Sequence, residues 1–182
     1  MLRIIAGKFR TRLIKQPPLS LTRATKDRVR AGVFSALGFH ITGAKVLDLF
    51  AGSGAYGIEA LSRGAASLVL NDQDSLSISI IQENLKTLAI TNAKVNKLDA
   101  IACLQQLQNE HLLFDVIFLD PPYESPILKT CVELILEKEL LAPKGVLIIE
   151  SESNERLLSK DKFNVKAYNY GRTNIEIGWK TS

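Results

Sequence analysis

Four consecutive residues have the chemistry to hold a planar amine: Asp120, Pro121, Pro122 and Tyr123, directly after the apolar segment 114–119. Two prolines after a strand force a rigid extended turn, so the Asp120 carboxylate stands beside backbone carbonyls. An exocyclic amine on a nucleobase has its lone pair delocalised into the ring, and acceptors must orient both N–H groups as a bond forms at nitrogen. The tetrad therefore predicts an amine site, with Tyr123 stacked on the base. By itself it is also compatible with a proline turn that only closes a strand.

A glycine-rich segment, 48–57 (DLFAGSGAYG), has the pattern of a cofactor loop. Gly52, Gly54 and Gly57 fit the spacing G-x-G-x-x-G, in which glycines let a ligand approach the backbone closely. Alone, this spacing indicates a dinucleotide, and some such loops only tighten a corner between a strand and a helix. Asp48 favours another ligand, because a carboxylate in the crevice would repel a pyrophosphate and attract a cation or an amino group.

Further acidic residues follow two other predicted strands. Asp72 stands eighteen residues after Gly54, about the offset at which an acid binds ribose hydroxyls in nucleotide-binding folds. Asp74 is predicted to cap the helix that follows. Asp99 precedes Ala100 at the start of a third helix, where it either contacts an adenine ring or only caps that helix.

The elements that must position these residues alternate between short apolar strands and helices. The predicted strands are 45–50, 67–71, 93–97, 114–120 and 145–150, and the predicted helices are one that ends at 63 and those over 75–88, 100–108 and 127–138. This alternation predicts an α/β fold in which helices cover both faces of a parallel sheet. Such a sheet binds ligands at the carboxyl ends of its strands. The alternating segments 164–170 and 173–180 predict a final antiparallel hairpin.

The first part of the chain is strongly basic. Residues 1–45 hold ten lysines or arginines and one acid, whereas residues 46–182 hold thirteen bases and eighteen acids. Such asymmetry is typical of a segment that binds a polyanion, although it is equally compatible with a solvated charged face. We therefore expect a basic extension over 1–40 and a catalytic domain over 41–182.

Two elements are predicted within this extension. Segment 2–15 has the pattern of a β-hairpin around Gly7, and segment 25–37 that of a helix with Thr25 as its N-cap. The apolar positions of the helix form one stripe, and Arg28 and Arg30 are predicted to point away from it toward a partner.

Composition excludes several classes of protein. The chain is 46% hydrophobic, which excludes a disordered protein, and its two cysteines, Cys103 and Cys131, exclude a disulfide scaffold. We expect both thiols to be buried and inert. No apolar run approaches the roughly 18 residues of a membrane span, and no cluster has the spacing of metal ligands. We expect a cytoplasmic protein, a monomer, without a metal requirement.

The quoted residues resemble a known family. VLDLFAGSGAYGIEAL followed by DPPY is similar to S-adenosylmethionine-dependent methyltransferases that act on exocyclic amines. RIIAGKFRTRLIK, TRATKDRVRAGVFSAL and FAGSGAYGIEALSRGA look like the bacterial enzymes that methylate N2 of a guanine in small-subunit (16S) ribosomal RNA. The resemblance covers essentially the whole chain, and it implies a Rossmann-like sheet of seven strands whose last strand is antiparallel.

The resemblance also implies roles for individual residues. The residues that would bind S-adenosylmethionine are Asp48, Phe50, Ala51, Gly52, Ser53, Gly54, Asp72, Asp99 and Ala100. Those that would hold the target base are Asp120, Pro121, Pro122 and Tyr123. The basic residues that would bind ribosomal RNA, either free or in an assembling 30S subunit, are Arg3, Lys8, Arg10, Arg12, Arg23, Arg28 and Arg30.

Other classes of protein are compatible with part of the pattern. A nicotinamide oxidoreductase would explain the glycines but leaves the Asp120 turn without a role. A DNA adenine-N6 or cytosine-N4 methyltransferase would use the same tetrad, usually with a sizeable recognition domain. Protein-glutamine methyltransferases more often have asparagine at the position of Asp120. A non-enzymatic RNA-binding module would have no affinity for a cofactor.

Overall fold

The computed structural model describes residues 1–18, 23–122 and 126–181, with the backbone alone described for 23–26. Its strands are β1 Leu2–Arg3, β2 Leu13–Ile14, β3 Lys45–Asp48, β4 Ser67–Asn71, β5 Ala93–Asn96, β6 Phe114–Leu119, β7 Leu141–Ser151, β8 Phe163–Tyr170 and β9 Thr173–Lys180. Its helices are α1 Arg23–Leu37, α2 Ala55–Ser62, α3 Ser75–Thr87, α4 Ala100–Asn109 and α5 Ile127–Glu137, with a short 3-10 helix over Gly38–Ile41.

Seven of these strands form one sheet in the order β5-β4-β3-β6-β7-β9-β8. Strands β3 to β7 run parallel to one another, and β9 is antiparallel to both of its neighbours. The prediction of a mostly parallel, seven-stranded α/β sheet with an antiparallel last strand is confirmed. Because the chain proceeds from β3 to β4 on one side and later to β6 on the other, a crevice opens at the carboxyl end of β3.

The sheet is buried on both faces, which explains the near-continuous apolar strands. Phe118 faces one core together with Phe34 of α1 and Ile58 of α2, and Ile117 faces a second core packed by α4 and α5. Both cysteines lie in the second core at 0% exposure. Burial raises the pKa of Cys103 to about 11 and that of Cys131 to about 12, and the prediction that both thiols are buried is confirmed.

The amino-terminal hairpin packs tightly on α2. Strand β1 pairs with β2, and the Glu59 carboxylate of α2 accepts the Ile5 and Ala6 N–H groups at 2.8 and 3.0 Å. Gly7 has a φ of +82°, and a Cβ there would lie 1.7 Å from the Ser62 carbonyl oxygen. Only glycine therefore allows the hairpin to approach the end of α2 so closely.

Helix α1 differs from the prediction in two respects. It begins at Arg23 and not at Thr25. The side chain of Thr25, the predicted N-cap, lies outside the described residues. The prediction that Arg30 points to a partner is wrong, because its side chain is buried and donates to the Arg3 carbonyl oxygen at 2.7 Å and to Asp27 at 3.2 Å. Arg30 precedes Phe34 by four residues, which places it on the buried face of the helix.

Among the helices in the described part of the chain, none has the length and apolar character needed to span a bilayer. The same residues contain no group of three or more His, Cys, Asp or Glu side chains suited to holding a metal ion.

Candidate active site

The glycine loop connects β3 to α2 at the carboxyl edge of the sheet, where it was predicted. Gly52 and Gly54 have φ values of +55° and +79°, and Gly54 is the N-cap of α2. A Cβ at Gly57 would lie 2.7 Å from the Leu68 side chain of β4, so this glycine permits close packing of helix on sheet. The loop is thus a compact turn whose backbone borders the crevice.

Asp48 supports this loop from within the protein. Its side chain is 1% exposed and accepts the Gly57 N–H at 3.0 Å. Burial raises the pKa of Asp48 to about 7, and the neighbouring Asp72 carboxylate adds to the increase. We expected the Asp48 carboxylate to face the crevice. In the structure it is buried instead and accepts a hydrogen bond from the first turn of α2.

Asp72 lies at the end of β4 and faces the glycine loop. One carboxylate oxygen accepts the Gly52 N–H at 2.8 Å, and the other accepts the Asp74 N–H at 2.9 Å. The carboxylate consequently fixes the loop and the start of the segment that leads into α3. This places the acid predicted to bind a ribose beside the predicted cofactor loop.

Two other acids cap helices. Asp74 accepts the Ser77 N–H at 2.8 Å at the start of α3, which confirms the predicted cap. The Ser77 hydrogen bonds lower the pKa of Asp74. Asp99 accepts the Ala102 N–H at 2.9 Å at the start of α4, so of its two predicted roles the cap is observed. Asp99 and Ala100 still lie at the same sheet edge as Asp72 because β5 pairs with β4.

Sequence reasoning missed two buried asparagines that hold the loops of this edge together. Asn71 donates to the carbonyl oxygens of Leu49 and Leu98, joining the ends of β3, β4 and β5. Asn84 of α3 donates to the Ser53 carbonyl oxygen at 3.0 Å and exchanges two hydrogen bonds with the backbone of Lys15. The signal for Asn84 was its place on the apolar face of α3, between Ile81 and Leu85.

The Asp120 turn lies beside the glycine loop. Strand β6 pairs with β3, and the Leu49 N–H donates to the Phe118 carbonyl oxygen at 3.2 Å, so the segments after the two strands are adjacent. Pro121 is buried and Pro122 is exposed. Tyr123, the predicted stacking residue, lies outside the described residues.

An unpredicted aromatic residue, Tyr56 of α2, borders this turn. Its ring stacks on Phe118 with 5.0 Å between centroids and an interplanar angle of 24°. Its hydroxyl donates to Glu150 of β7 at 2.7 Å. Burial raises the pKa of Tyr56 well above its usual value, and the Glu150 and Asp120 carboxylates add to that increase. The phenol is therefore a stable hydrogen-bond donor next to two acids.

The basic candidates form an exposed group on the hairpin and α1. Arg3, Lys8, Arg10, Arg12 and Arg28 are all exposed, which leaves their charges available to a polyanion. The Arg23 side chain lies outside the described residues. Lys15 pairs with Glu83 of α3, and the buried Arg30 is not part of the exposed group.

The fold is that of S-adenosylmethionine-dependent methyltransferases. The chain matches the solved structure of such an enzyme from Agrobacterium tumefaciens with a TM-score of 0.69. The match covers 94% of this chain and 72% of the other at 17% sequence identity, a level at which only the fold is shared.

The chain belongs to the Conserved hypothetical protein 95 family, which it matches over residues 2–179. It is similar to the Ribosomal RNA small subunit methyltransferase D of Escherichia coli K12, with 38% identity over 151 residues, 83% of this chain and 75% of that protein. The solved structure of yhhF from Escherichia coli matches with a TM-score of 0.89 and 32% identity, covering 100% of this chain and 98% of the other.

Proposed function

We propose that this protein transfers a methyl group from S-adenosylmethionine to the exocyclic N2 amine of a guanine in small-subunit ribosomal RNA. The observation that carries the proposal is the Asp120-Pro121-Pro122 turn beside the glycine loop. The chain in which it occurs is 38% identical to a protein named for methylation of small-subunit ribosomal RNA.

The cofactor binds at the crevice after β3, β4 and β5. The glycine loop 52–54 would hold its amino-acid part together with Phe50 and Ala51, while the buried Asp48 supports the loop by accepting the Gly57 N–H. Asp72 binds its ribose hydroxyls, and Asp99 and Ala100 flank its adenine. When bound, the cofactor supplies a methyl group on a sulfonium, which is already a good leaving group. The protein therefore contributes mainly orientation and electrostatics.

The target amine lies at the Asp120 turn. The Asp120 carboxylate and a proline carbonyl accept its two N–H groups, which points the nitrogen lone pair at the methyl carbon. Tyr123 stacks on the base. The amine of a base stacked inside a duplex could not reach a carboxylate at the end of a buried strand, so the base leaves its stack or already lies in a loop. The amine nitrogen would attack the methyl carbon in line as the methyl–sulfur bond breaks, so that the sulfonium leaves as a neutral thioether and the methylated amine releases one proton, without a covalent enzyme intermediate.

The exposed basic group on residues 1–40 binds the RNA backbone, and residues 41–182 carry out the transfer. Arg3, Lys8, Arg10, Arg12, Arg23 and Arg28 contribute charge to this interface, while the buried Arg30 does not. The protein acts in the cytoplasm, as a monomer, on free RNA or on an assembling small subunit. Sedimentation velocity at micromolar concentration tests the monomeric state.

Two measurements test the proposal. Small subunits from cells that lack the protein are incubated with it and labelled cofactor, and the digested RNA is analysed by mass spectrometry. We expect N2-methylguanosine in small-subunit RNA alone, and methyladenosine, methylcytidine or label in protein would overturn the assignment.

Calorimetry should show cofactor binding that Asp72→Ala weakens by about 10- to 150-fold, through lost charge-assisted hydrogen bonds. The exposed Asp161→Ala serves as its control.

A further inference from the structure

Two acidic residues lie next to each other on neighbouring strands at the proposed amine site. Strands β6 and β7 are parallel, with Leu119 opposite Ile149, so the next residues along each strand, Asp120 and Glu150, are neighbours. Side chains alternate between the two faces of a sheet. Phe118 and Ile148 face the first core, against which Tyr56 also packs, and the Asp120 and Glu150 carboxylates both lie close enough to Tyr56 to raise the pKa of its hydroxyl.

The position of Glu150 is held by Tyr56. The phenol donates to one Glu150 oxygen at 2.7 Å, while its ring is stacked on Phe118. The Phe34 ring of α1 lies 6.2 Å from that of Tyr56 between centroids. A carboxylate has about four acceptor positions, so Glu150 can accept from Tyr56 and from a ligand at the same time.

The three bases that carry an exocyclic amine differ in the group beside that amine. Guanine has the N1–H donor next to its 2-amine. Adenine has the N1 acceptor next to its 6-amine, and cytosine has the N3 acceptor next to its 4-amine. A group that can only accept, placed beside the amine site, therefore pairs with the N1–H of guanine. With adenine or cytosine the same group would face the lone pair of a ring nitrogen, which is repulsive.

We propose that Glu150 selects guanine by accepting its N1–H while Asp120 accepts the N2 amine. The proposal rests on the proposed function, since it assigns a specificity-determining residue to the same site. The spacing is suitable, because neighbouring strands lie about 4.8 Å apart and each carboxylate then reaches one of two adjacent donors on the base. The Asp120 turn alone accommodates any planar amine, and Glu150 supplies the discrimination that the turn lacks.

The test uses 2-aminopurine, which keeps the 2-amine of guanine but has no N1–H. Small-subunit RNA is prepared with a ligated synthetic segment that carries either guanine or 2-aminopurine at the position that the wild-type protein methylates. We expect wild-type kcat/KM to fall about 10- to 150-fold on 2-aminopurine, the effect of losing one hydrogen bond to a charged group. Glu150→Gln should lower kcat/KM on guanine by a similar factor and lose the discrimination, since an amide also donates to an unprotonated N1.

Glu152→Gln is the matched control, because it makes the same change at an exposed residue nearby, and it should discriminate as the wild type does. Cofactor affinity of Glu150→Gln, measured by calorimetry, should stay within about twofold of wild type. If the wild-type protein methylated guanine and 2-aminopurine at equal rates, the role of Glu150 would be overturned, whereas the proposed function would stand. Unchanged discrimination in Glu150→Gln would do the same. Methylation of neither base would overturn the proposed function itself.

Discussion

Asn84 donates its side-chain amide to the Ser53 carbonyl oxygen at 3.0 Å, and this one hydrogen bond joins α3 to the glycine loop. The same side chain accepts the Lys15 N–H at 2.8 Å and donates to the Lys15 carbonyl oxygen at 2.9 Å. At 2% exposure it is closed to water. The basic hairpin and the proposed cofactor loop are therefore both held by the Asn84 side chain.

Replacing Asn84 with alanine should loosen both segments at once. Three backbone groups would lose their partner, the buried Ser53 carbonyl and the partly buried N–H and carbonyl of Lys15, which should lower the free energy of unfolding by about 2–4 kcal/mol. Cofactor affinity should fall as well, because the loop must then be ordered on binding. Urea unfolding and calorimetry measure the two effects. The control is Asn92→Ala, which removes one exposed hydrogen bond to Ala66. A fall in stability without any loss of cofactor affinity would contradict this role of Asn84.

Asp120→Ala should abolish methyl transfer and leave cofactor binding nearly intact, since the carboxylate is proposed to face the amine and not the sulfonium. Removing one preorganised acceptor should slow the transfer step about 100-fold or more. Single-turnover rates with labelled cofactor measure this, and calorimetry measures binding. A variant that retains nearly wild-type rates would disprove the amine site at this turn.

Neutralising Arg10, Arg12 and Arg28 together should weaken RNA binding and flatten its dependence on salt. The slope of log K against log salt is negative, and each lost phosphate contact should reduce its magnitude by about 0.7–0.9. The matched control neutralises three exposed bases elsewhere, Lys144, Arg156 and Lys160. Filter-binding titrations from low to moderate salt distinguish the two triple variants. Equal slopes would mean that the basic group is only a solvated surface.

Asp48 should make the folded state less stable as pH rises. Burial raises its pKa from 3.8 to about 7, so between these values the folded protein holds a proton that the unfolded chain has released. The free energy of unfolding should therefore decrease from about pH 4 to pH 7 and then level off, by on the order of 4 kcal/mol from this group. Asp48→Asn should lack this decrease. Parallel pH profiles for the two proteins in urea unfolding would refute the assignment.

The alternation of strands and helices is predictable from this sequence because the strands are buried on both faces and because α3 and α4 begin at the capping acids Asp74 and Asp99. The predicted helix over 75–88 thus differs from α3 by one residue at its end. The antiparallel hairpin of β8 and β9 is equally predictable, because polar and apolar residues alternate along both segments. These features depend on local spacing alone.

Features that depend on tertiary neighbours were not predictable in the same way. The Tyr56–Glu150 hydrogen bond joins residues 94 positions apart in sequence. Arg30 lies on the buried face of α1, where an arginine needs a hydrogen-bond acceptor. The hairpin provides that acceptor, the Arg3 carbonyl oxygen, and the sequence of α1 alone does not reveal it. Asp48 has the residue type expected of a ligand, but its hydrogen bond to Gly57 depends on how α2 packs against the sheet.

The place of β9 inside the sheet has a consequence for synthesis of the chain. Strand β9 lies between β7 and β8 although it follows both in sequence. While a ribosome is still translating residues 173–180, β7 has a bare edge of apolar residues and β8 has no partner to pair with. Vectorial folding from the amino terminus must therefore stop at an incomplete sheet, whose open edge can pair with other nascent chains. The final hairpin closes that edge, so the sheet is completed only after residues 173–180 have been translated.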